Sequence, residues 1–367
     1  MILKSISIEG FRNIEKEKIE FLPGVNILCG KNAQGKTNAL EGIYLFSRGR
    51  SFRTSKESDL LKFEKEGFRL ELEYGEKNGV TSLSYAAFGR ERRILKNGYR
   101  IKKISELIGN FKSVLFSPDD LSLVKGGPEE RRAFLNIAIC QKNPTYIKYY
   151  SAYKAAMEQK NTLLKNAKQG LFFDVEEIKS WSRSMAEYAS YIYELRRDYI
   201  ENIKEYAKLF MREISSDGEI IDIRYKSDIE KDFSSREEIK VEYERIMNEG
   251  ISRECGAGVS IFGVHHDDME IEINGKSART YSSQGQKRSI VLALKLAEGE
   301  VIREEFGEYP VYLLDDVLSE LDGARREYFL SKKGEKQIII TSCDEGEDIS
   351  FADRIIRVEN GRFSEEK

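Results

Sequence analysis

An α/β fold, in which a strand-rich lobe is split by an inserted α-helical lobe, is what the 367-residue sequence predicts, on three observations. The N-terminal stretches alternate apolar and polar residues at the period of two that belongs to strands. From about Pro128 to Gly250 the texture changes to long Lys/Glu/Tyr-rich segments almost free of Pro and Gly, with apolar residues at helical spacing. After Gly256-Ala257-Gly258 the strands return, and residues 311–314 and 337–340 are unbroken apolar runs of the kind buried on both faces of a parallel sheet.

Taken in order, Ile2-Leu3-Lys4-Ser5-Ile6-Ser7-Ile8 and Val25-Asn26-Ile27-Leu28-Cys29 read as strands, as do residues 68–74 and 80–85. Asn97-Gly98 and Asn274-Gly275 lie between strand-like runs and call for tight hairpins. Helices are expected over residues 146–167, 175–215 and 285–305. The division that follows is an N-terminal part of one lobe at 1–127, a helical insertion at 128–254, and the C-terminal part of the first lobe at 255–367. Tyr146, Tyr149, Tyr150 and Tyr153 follow helical spacing and are expected to pack the insertion rather than to stack on bases.

Composition removes several classes. The start lacks the apolar block of a signal peptide, and no run of about 18 apolar residues offers a membrane span, so a cytoplasmic protein is expected. The four cysteines, Cys29, Cys140, Cys255 and Cys343, are too far apart for a zinc knuckle and are expected to be reduced thiols. Net charge is −3 although 34% of residues are charged, so any nucleic-acid site must be a local patch. Two candidates are visible. Arg90, Arg92, Arg93, Lys96, Arg100, Lys102 and Lys103 crowd around the Asn97-Gly98 hairpin, with Tyr99 at its tip. Arg48, Arg50, Arg53 and Lys56 form a second group.

Gly30-Lys31-Asn32-Ala33-Gln34-Gly35-Lys36-Thr37 has the spelling of a phosphate loop, with an apolar strand before it and a helix-competent run after it. Such a loop curls backbone N–H groups around a β-phosphate and aims a helix N-terminus at the anion. Lys36 is placed to reach the β- and γ-phosphate oxygens of ATP, and the Thr37 hydroxyl to ligate Mg²⁺. The run Val311-Tyr312-Leu313-Leu314 ends in Asp315-Asp316: Asp315 is the metal-side candidate, and Asp316 stands where a general base or water-orienting carboxylate is needed. Ser283-Gln284-Gly285-Gln286 precedes a helix; read alone it is a polar helix start, and read with the phosphate loop it is a second anion site, for a γ-phosphate held by another subunit.

The order phosphate loop, helical insertion, Ser-x-Gly-Gln and Asp315-Asp316-Val317-Leu318-Ser319-Glu320-Leu321-Asp322 resembles the chromosome-maintenance and Rad50 branch of ATP-binding-cassette (ABC) ATPases. Within that branch the chain resembles the RecF family. The stretches that carry this are Gly10-Phe11-Arg12-Asn13, Phe116-Ser117-Pro118-Asp119-Asp120-Leu121, Arg131-Arg132-Ala133-Phe134-Leu135, Gln159-Lys160-Asn161-Thr162 and Gly263-Val264-His265-His266-Asp267-Asp268. The resemblance implies an ABC-type P-loop ATPase head with an inserted helical lobe. It further implies a weak, DNA-dependent, Mg²⁺-requiring ATPase that forms a homodimer on ATP and binds single-stranded and gapped duplex DNA at junctions. With RecO and RecR, such a protein helps to load recombinase in DNA replication and repair. Carried over, Arg12 and Asn13 lie near the nucleotide, Ser283 and Gly285 on the partner's γ-phosphate, and residues 319–322 in the loop between the two sites.

Two departures qualify this. No His follows residues 337–340, leaving Thr341 as the polar candidate for the γ-phosphate, and no Gln follows Val114-Leu115-Phe116, leaving Asp119 and Asp120 as lobe-coupling or merely capping residues. The missing His also argues against the alternative of a membrane transporter's ATPase subunit. A Rad50-like nuclease subunit would carry a long coiled coil with a Cys-x-x-Cys hook, and the insertion has neither the length nor the cysteines.

Overall fold

The computed structural model describes residues 1–77, 79–89, 91–215, 218–229, 233–318, 321–343 and 351–365. Its strands in chain order are β1 (Ile2–Phe11), β2 (Ile14–Glu20), β3 (Val25–Cys29), β4 (Gly67–Glu76), β5 (Gly79–Phe88), β6 (Glu91–Lys96), β7 (Tyr99–Ile101), β8 (Ser113–Phe116), β9 (Ile221–Lys226), β10 (Asp268–Ile273), β11 (Lys276–Ser277), β12 (Val311–Asp315), β13 (Ile338–Ser342), β14 (Arg354–Glu359) and β15 (Arg362–Glu365). Two compact units result. The first holds Met1–Leu121, Phe210–Asp217 and Arg288–Lys367, and the second Ser122–Leu209 and Gly218–Lys287.

The first unit is built on two sheets. An antiparallel sheet runs β2-β1-β4-β5-β6-β7, and a mainly parallel one runs β15-β14-β3-β13-β12-β8, with only the outer β15 reversed. Alternation decides the antiparallel sheet: Ile6, Ile8, Phe68, Leu70, Leu72, Tyr85 and Ile94 turn inward and are buried, while the residues between them face water. β3, β12 and β13 are buried along their whole length, as their unbroken apolar runs require. The helix Lys36–Arg48 lies between the sheets, touching β1 and β4 of one and β8, β12 and β13 of the other. Where the β1 register shifts between Leu3 and Ser5, the buried Gln337 side chain accepts from Leu3 N at 2.7 Å and donates to Leu3 O at 2.8 Å. A side-chain amide here satisfies backbone groups that the ladder has released.

In the second unit the helices Pro128–Lys142, Tyr146–Lys168, Arg236–Glu249 and Ile251–Ala257 accompany most of the 41-residue helix Val175–Ser215 and a three-stranded sheet, β11-β10-β9. Its centre is polar. Arg196, fully buried, donates to Asp267 at 2.9 Å, Val264 O at 2.6 Å, Tyr146 Oη at 3.0 Å and Asn136 at 3.0 Å. Arg131 makes a two-pronged pair with Asp268 at 2.7 and 2.8 Å, and Lys160 pairs with Glu254 at 2.6 Å with both side chains buried. Tyr146 and Tyr153 are buried and Tyr149 stacks on Tyr191 at 4.0 Å, so the tyrosines pack the helices.

The boundaries differ from those drawn on the sequence. The insertion begins at Ser122 and extends to Lys287 rather than 254, because β9 and β10 pair from Ile221↔Ile273 to Lys226↔Asp268 and carry residues 268–277 with them. The strand Ile221-Asp222-Ile223-Arg224-Tyr225-Lys226 alternates with period two, but it is short and sits in a segment whose composition is helical. Residues 210–217 join the first unit, where Glu213 accepts from Tyr328 Oη at 2.5 Å and pairs with Lys332 at 2.7 Å. Breaking a buried pair by removing one partner strands the other charge. Arg196→Ala is therefore expected to lower stability by about 3–5 kcal/mol in urea unfolding, whereas Lys179→Ala, which breaks only the exposed pair with Glu176, changes it by about 1 kcal/mol or less.

Candidate nucleotide-binding site

The phosphate loop leaves β3 at Gly30 and enters the helix at Lys36, with Gly30 at φ 157°, Ala33 at 65° and Gly35 at 119°. Gly35 is required twice: its φ disfavours any side chain, and a Cβ there would stand 2.9 Å from Asn13 Oδ1. As N-cap it offers the helix no side-chain acceptor, and the first turn holds no acidic residue. The partly positive end of a 13-residue helix is thus left for an anion from outside. Lys36 is held by its own loop, donating to Gly30 O and, at 3.0 Å, to Lys31 O, with Cys343 Sγ 3.4 Å away.

A cavity of about 300 Å³ opens on this loop. Of the residues expected from sequence, Asn13, Asn32, Ala33, Gln34, Gly35, Lys36, Thr37 and Asp316 line it, joined by Asn38, Arg53 and Cys343. Asn13 fastens the loop, donating to Gln34 O at 3.0 Å and accepting from Asn38 at 2.9 Å. Asp315 closes β12 and is reached by Thr37 Oγ1 at 2.7 Å. Thr341, its neighbour on β13, donates to the same Asp315 oxygen at 3.1 Å and accepts from Asp316 N at 2.9 Å. Asp316 itself has a φ of 58°, a left-handed turn at the end of the strand. Burial pushes the Asp315 carboxyl up, and the hydrogen bonds from Thr37 and Thr341 work against that shift by favouring the anion.

These residues fit ATP with Mg²⁺. A hydroxyl and a carboxylate held 2.7 Å apart are hard oxygen donors, beside a lysine ammonium and an open helix N-terminus. Among the described residues no group of three His, Cys, Asp or Glu side chains would hold a metal alone.

Other expected residues stand elsewhere. Arg12 turns to the helix, making a two-pronged pair with the fully buried Glu41 at 2.9 and 2.7 Å and reaching Asp59 O at 2.7 Å; it does not line the cavity. Thr341 is buried and braces the two aspartates instead of facing the cavity. Asp120 accepts from Ser117 N at 2.7 Å and pairs with Lys295 at 3.0 Å, a capping and pairing role. Arg53, read from sequence as part of a basic patch, belongs to the cavity wall, where it donates to Asn38 at 2.8 Å. Ser283 and Gly285 lie in the second unit. Ser283 Oγ accepts from Gln286 N at 3.1 Å while Gln286 reaches back to Ser283 N at 2.7 Å, a capping box that opens the helix Gln284–Phe306. Ser319 and Glu320 lie outside the described residues, whereas Asp322 caps the helix Gly323–Ser331.

The hairpin cations divide between two faces. Arg92 points inward to Glu57 at 3.0 and 2.9 Å, Lys96 donates to Asn110 at 2.6 Å, and Lys102 is held through its backbone N by Glu106. Arg93 and Arg100 are exposed, and Arg90 lies outside the described residues. Sequence reasoning missed Asn38, Glu41 and Cys343. The one available signal was Glu41, a carboxylate one helical turn beyond Thr37 in an otherwise apolar run.

A phosphate loop in front of a buried strand that ends in two aspartates, within a head split by a second unit, defines a phosphate-loop ATPase of the chromosome-maintenance type. Residues 2–365 match the family model for the RecF/RecN/SMC N terminal domain. The chain belongs to the RecF family of DNA replication and repair proteins. It is 39% identical to the DNA replication and repair protein RecF of Acetivibrio thermocellus, over 99% of each chain. It is 37% identical to that of Clostridioides difficile, over 98% of this chain and 97% of the other. The solved structure of the recombination mediator protein RecF with ATP, in the RecFOR pathway, superposes with a TM-score of 0.92 at 35% identity, covering 100% of this chain and 98% of that one. The Smc head from Pyrococcus furiosus shares the fold at a TM-score of 0.56 and 18% identity. None of these relatives is a transporter subunit, and no helix among the described residues is long and apolar enough to cross a membrane.

Glu41 gathers Arg12, Ser51 and, at 3.5 Å, Arg53 around one buried carboxylate behind the cavity. Glu41→Ala is expected to cost about 3–5 kcal/mol in urea unfolding by stranding Arg12, and Glu41→Gln, which keeps the side-chain volume and one of the two accepting oxygens, less.

Proposed function

We propose that this chain is an ATP-dependent DNA-binding protein of replication and recombinational repair, acting in the cytoplasm as a homodimer that closes on ATP. The observation that carries the reading is the Thr37–Asp315 hydrogen bond beside Lys36, because it ties the buried Asp315 carboxylate to a hydroxyl that lines the same cavity as the phosphate-binding cation. In this reading Gly30 to Thr37 cradle the phosphates, Lys36 pairs with the β- and γ-phosphate oxygens, and Thr37 and Asp315 hold Mg²⁺. Asp316 orients water. It is one methylene shorter than a glutamate, and no histidine stands at the cavity, so turnover is slow. ATP with Mg²⁺ supplies the γ-phosphoryl group that ties the two protomers together. Ser283 and Gly285, at an exposed helix start, meet that group from the partner chain. The RecF structure solved with ATP is placed in the RecFOR pathway, which supports RecO and RecR as partners, and single-stranded and gapped duplex DNA is the ligand that the family of DNA replication and repair proteins suggests. Within the basic hairpin Arg93, Lys96, Arg100 and Lys102 are the DNA-contacting candidates, while Arg92 is held by Glu57.

Lys36→Ala is expected to abolish ATP-stimulated DNA binding in a filter or anisotropy assay; ATP stimulation that survives would remove the phosphate loop from the account. Asp316→Asn should leave nucleotide binding in place and slow hydrolysis, prolonging the ATP dimer, and unchanged turnover would exclude Asp316. Ser283→Arg should bind ATP as a monomer yet stay monomeric by light scattering with a non-hydrolysable analogue, since a bulky side chain fills the space for the partner's phosphate. Normal dimerisation of that variant would reduce the motif to a helix cap.

A further inference from the structure

The register of the antiparallel sheet sorts its side chains onto two faces. On the inner one, Tyr85 opposes Ile94 and Arg92 turns under the sheet to Glu57. On the outer one, Ala86 stands between Arg69 of β4 and Arg93 of β6, and in the adjacent row Leu95 stands between Ser84 and Arg100 of β7. Neighbouring strands are about 4.8 Å apart, so the backbones that carry Arg69 and Arg93 stand roughly 10 Å apart across a floor of small residues. The result is a trough of about 960 Å³ lined by Arg69, Arg93, Arg100, Ser84, Ala86 and Leu95, with Phe88, Glu91 and Arg92, the last also paired with Glu57, and Gly98 completing the lining.

Three properties of this trough suit an anionic polymer. It concentrates guanidinium groups in a chain of net charge −3. No carboxylate among the described residues pairs with Arg93 or Arg100, and the partner of Arg69, Glu71, forms an exposed pair that a phosphate can replace. Phe88 is 58% exposed and lies against the bare backbone of Gly67, where a Cβ would stand 2.1 Å from the ring. The ring thus rests beside Gly67 while more than half of the residue stays open to a ligand. Tyr99, although at the hairpin tip, opposes Lys96 and belongs to the other face.

We propose that this outer face binds single-stranded DNA, with Arg69, Arg93 and Arg100 on successive phosphates and Phe88 under a base. The inference rests on the DNA-binding reading above and narrows it from the whole hairpin to one face of the sheet, adds Arg69 and Phe88, and assigns that face the single strand in preference to the duplex. A sheet face that combines cations with an outward aromatic ring suits a single strand, whose bases are free to stack; a duplex keeps its bases paired and offers such a face only its phosphates.

Anisotropy titrations of a labelled oligothymidylate and of a blunt duplex, over a range of salt and with a non-hydrolysable ATP analogue, test this. Arg93→Ala/Arg100→Ala is expected to weaken oligothymidylate binding and to flatten the dependence of log K on log salt by about 1.4, at roughly 0.7 per lost single-strand contact. Phe88→Ala is expected to weaken oligothymidylate binding about tenfold with the slope unchanged, because stacking releases no counterions. Arg93→Lys/Arg100→Lys should recover the slope, which separates lost charge from a disturbed sheet. Wild-type affinity and slope in the double alanine variant would overturn the trough and leave the DNA reading standing. Equal losses on duplex and single strand with no effect of Phe88→Ala would overturn the single-strand assignment. Failure of the wild-type chain to bind either DNA would remove the DNA reading and this inference together.

Discussion

The hydrogen bond from Thr37 to Asp315, 2.7 Å long, is the constraint on which the head depends. It joins the first turn of the phosphate-loop helix to the end of β12, two segments 278 residues apart in the chain. Thr341 on β13 extends the junction by bonding Asp315 and receiving Asp316 N, so loop, helix and both central strands share one network. In a buried site such a network is worth having only when every member is satisfied. That explains why Thr341 is drawn in to brace the aspartates and why the cavity is left to Asp316, Cys343 and Asn32.

Around that junction the charges are arranged in layers. The cavity side presents Lys36, Asp316 and Arg53, while behind it Glu41 collects Arg12 and Arg53 on a carboxylate with no exposure. A buried anion of this kind needs its cations, and Arg12 is spent on that requirement. The second unit uses the same device: Arg196 with Asp267, Lys160 with Glu254 and Arg131 with Asp268 tie its helices to one another and to β10. The stretches around Lys160, Arg131 and Asp267-Asp268, which carry the family resemblance, are thus framework and not nucleotide chemistry.

What was legible in the sequence follows from the range of the interactions involved. The phosphate loop, the Asp315-Asp316 strand end, the Asn97-Gly98 and Asn274-Gly275 hairpins and the helix over 175–215 are local patterns, and all stand where expected. The strand β9 was hidden because its partner, β10, lies over 40 residues away, at up to 52 positions from Ile221 to Ile273, and only that pairing distinguishes it from its helical surroundings. Arg53 and Arg92 stand in basic groups in the sequence, and nothing local reveals Asn38, Glu41 or Glu57 beside them. Ser283 is intermediate: its capping box is visible as Ser-x-x-Gln, while the role proposed for it towards a second chain would need a contact that no single chain contains.

In the proposed function the cavity at the phosphate loop controls DNA binding through dimer closure. The most direct test is the stoichiometry of the chain on a gapped duplex, read by analytical ultracentrifugation with and without a non-hydrolysable ATP analogue. Two chains per DNA with the analogue, and weak or no association without it, are the predicted result. One chain per DNA, or association indifferent to nucleotide, would contradict the account.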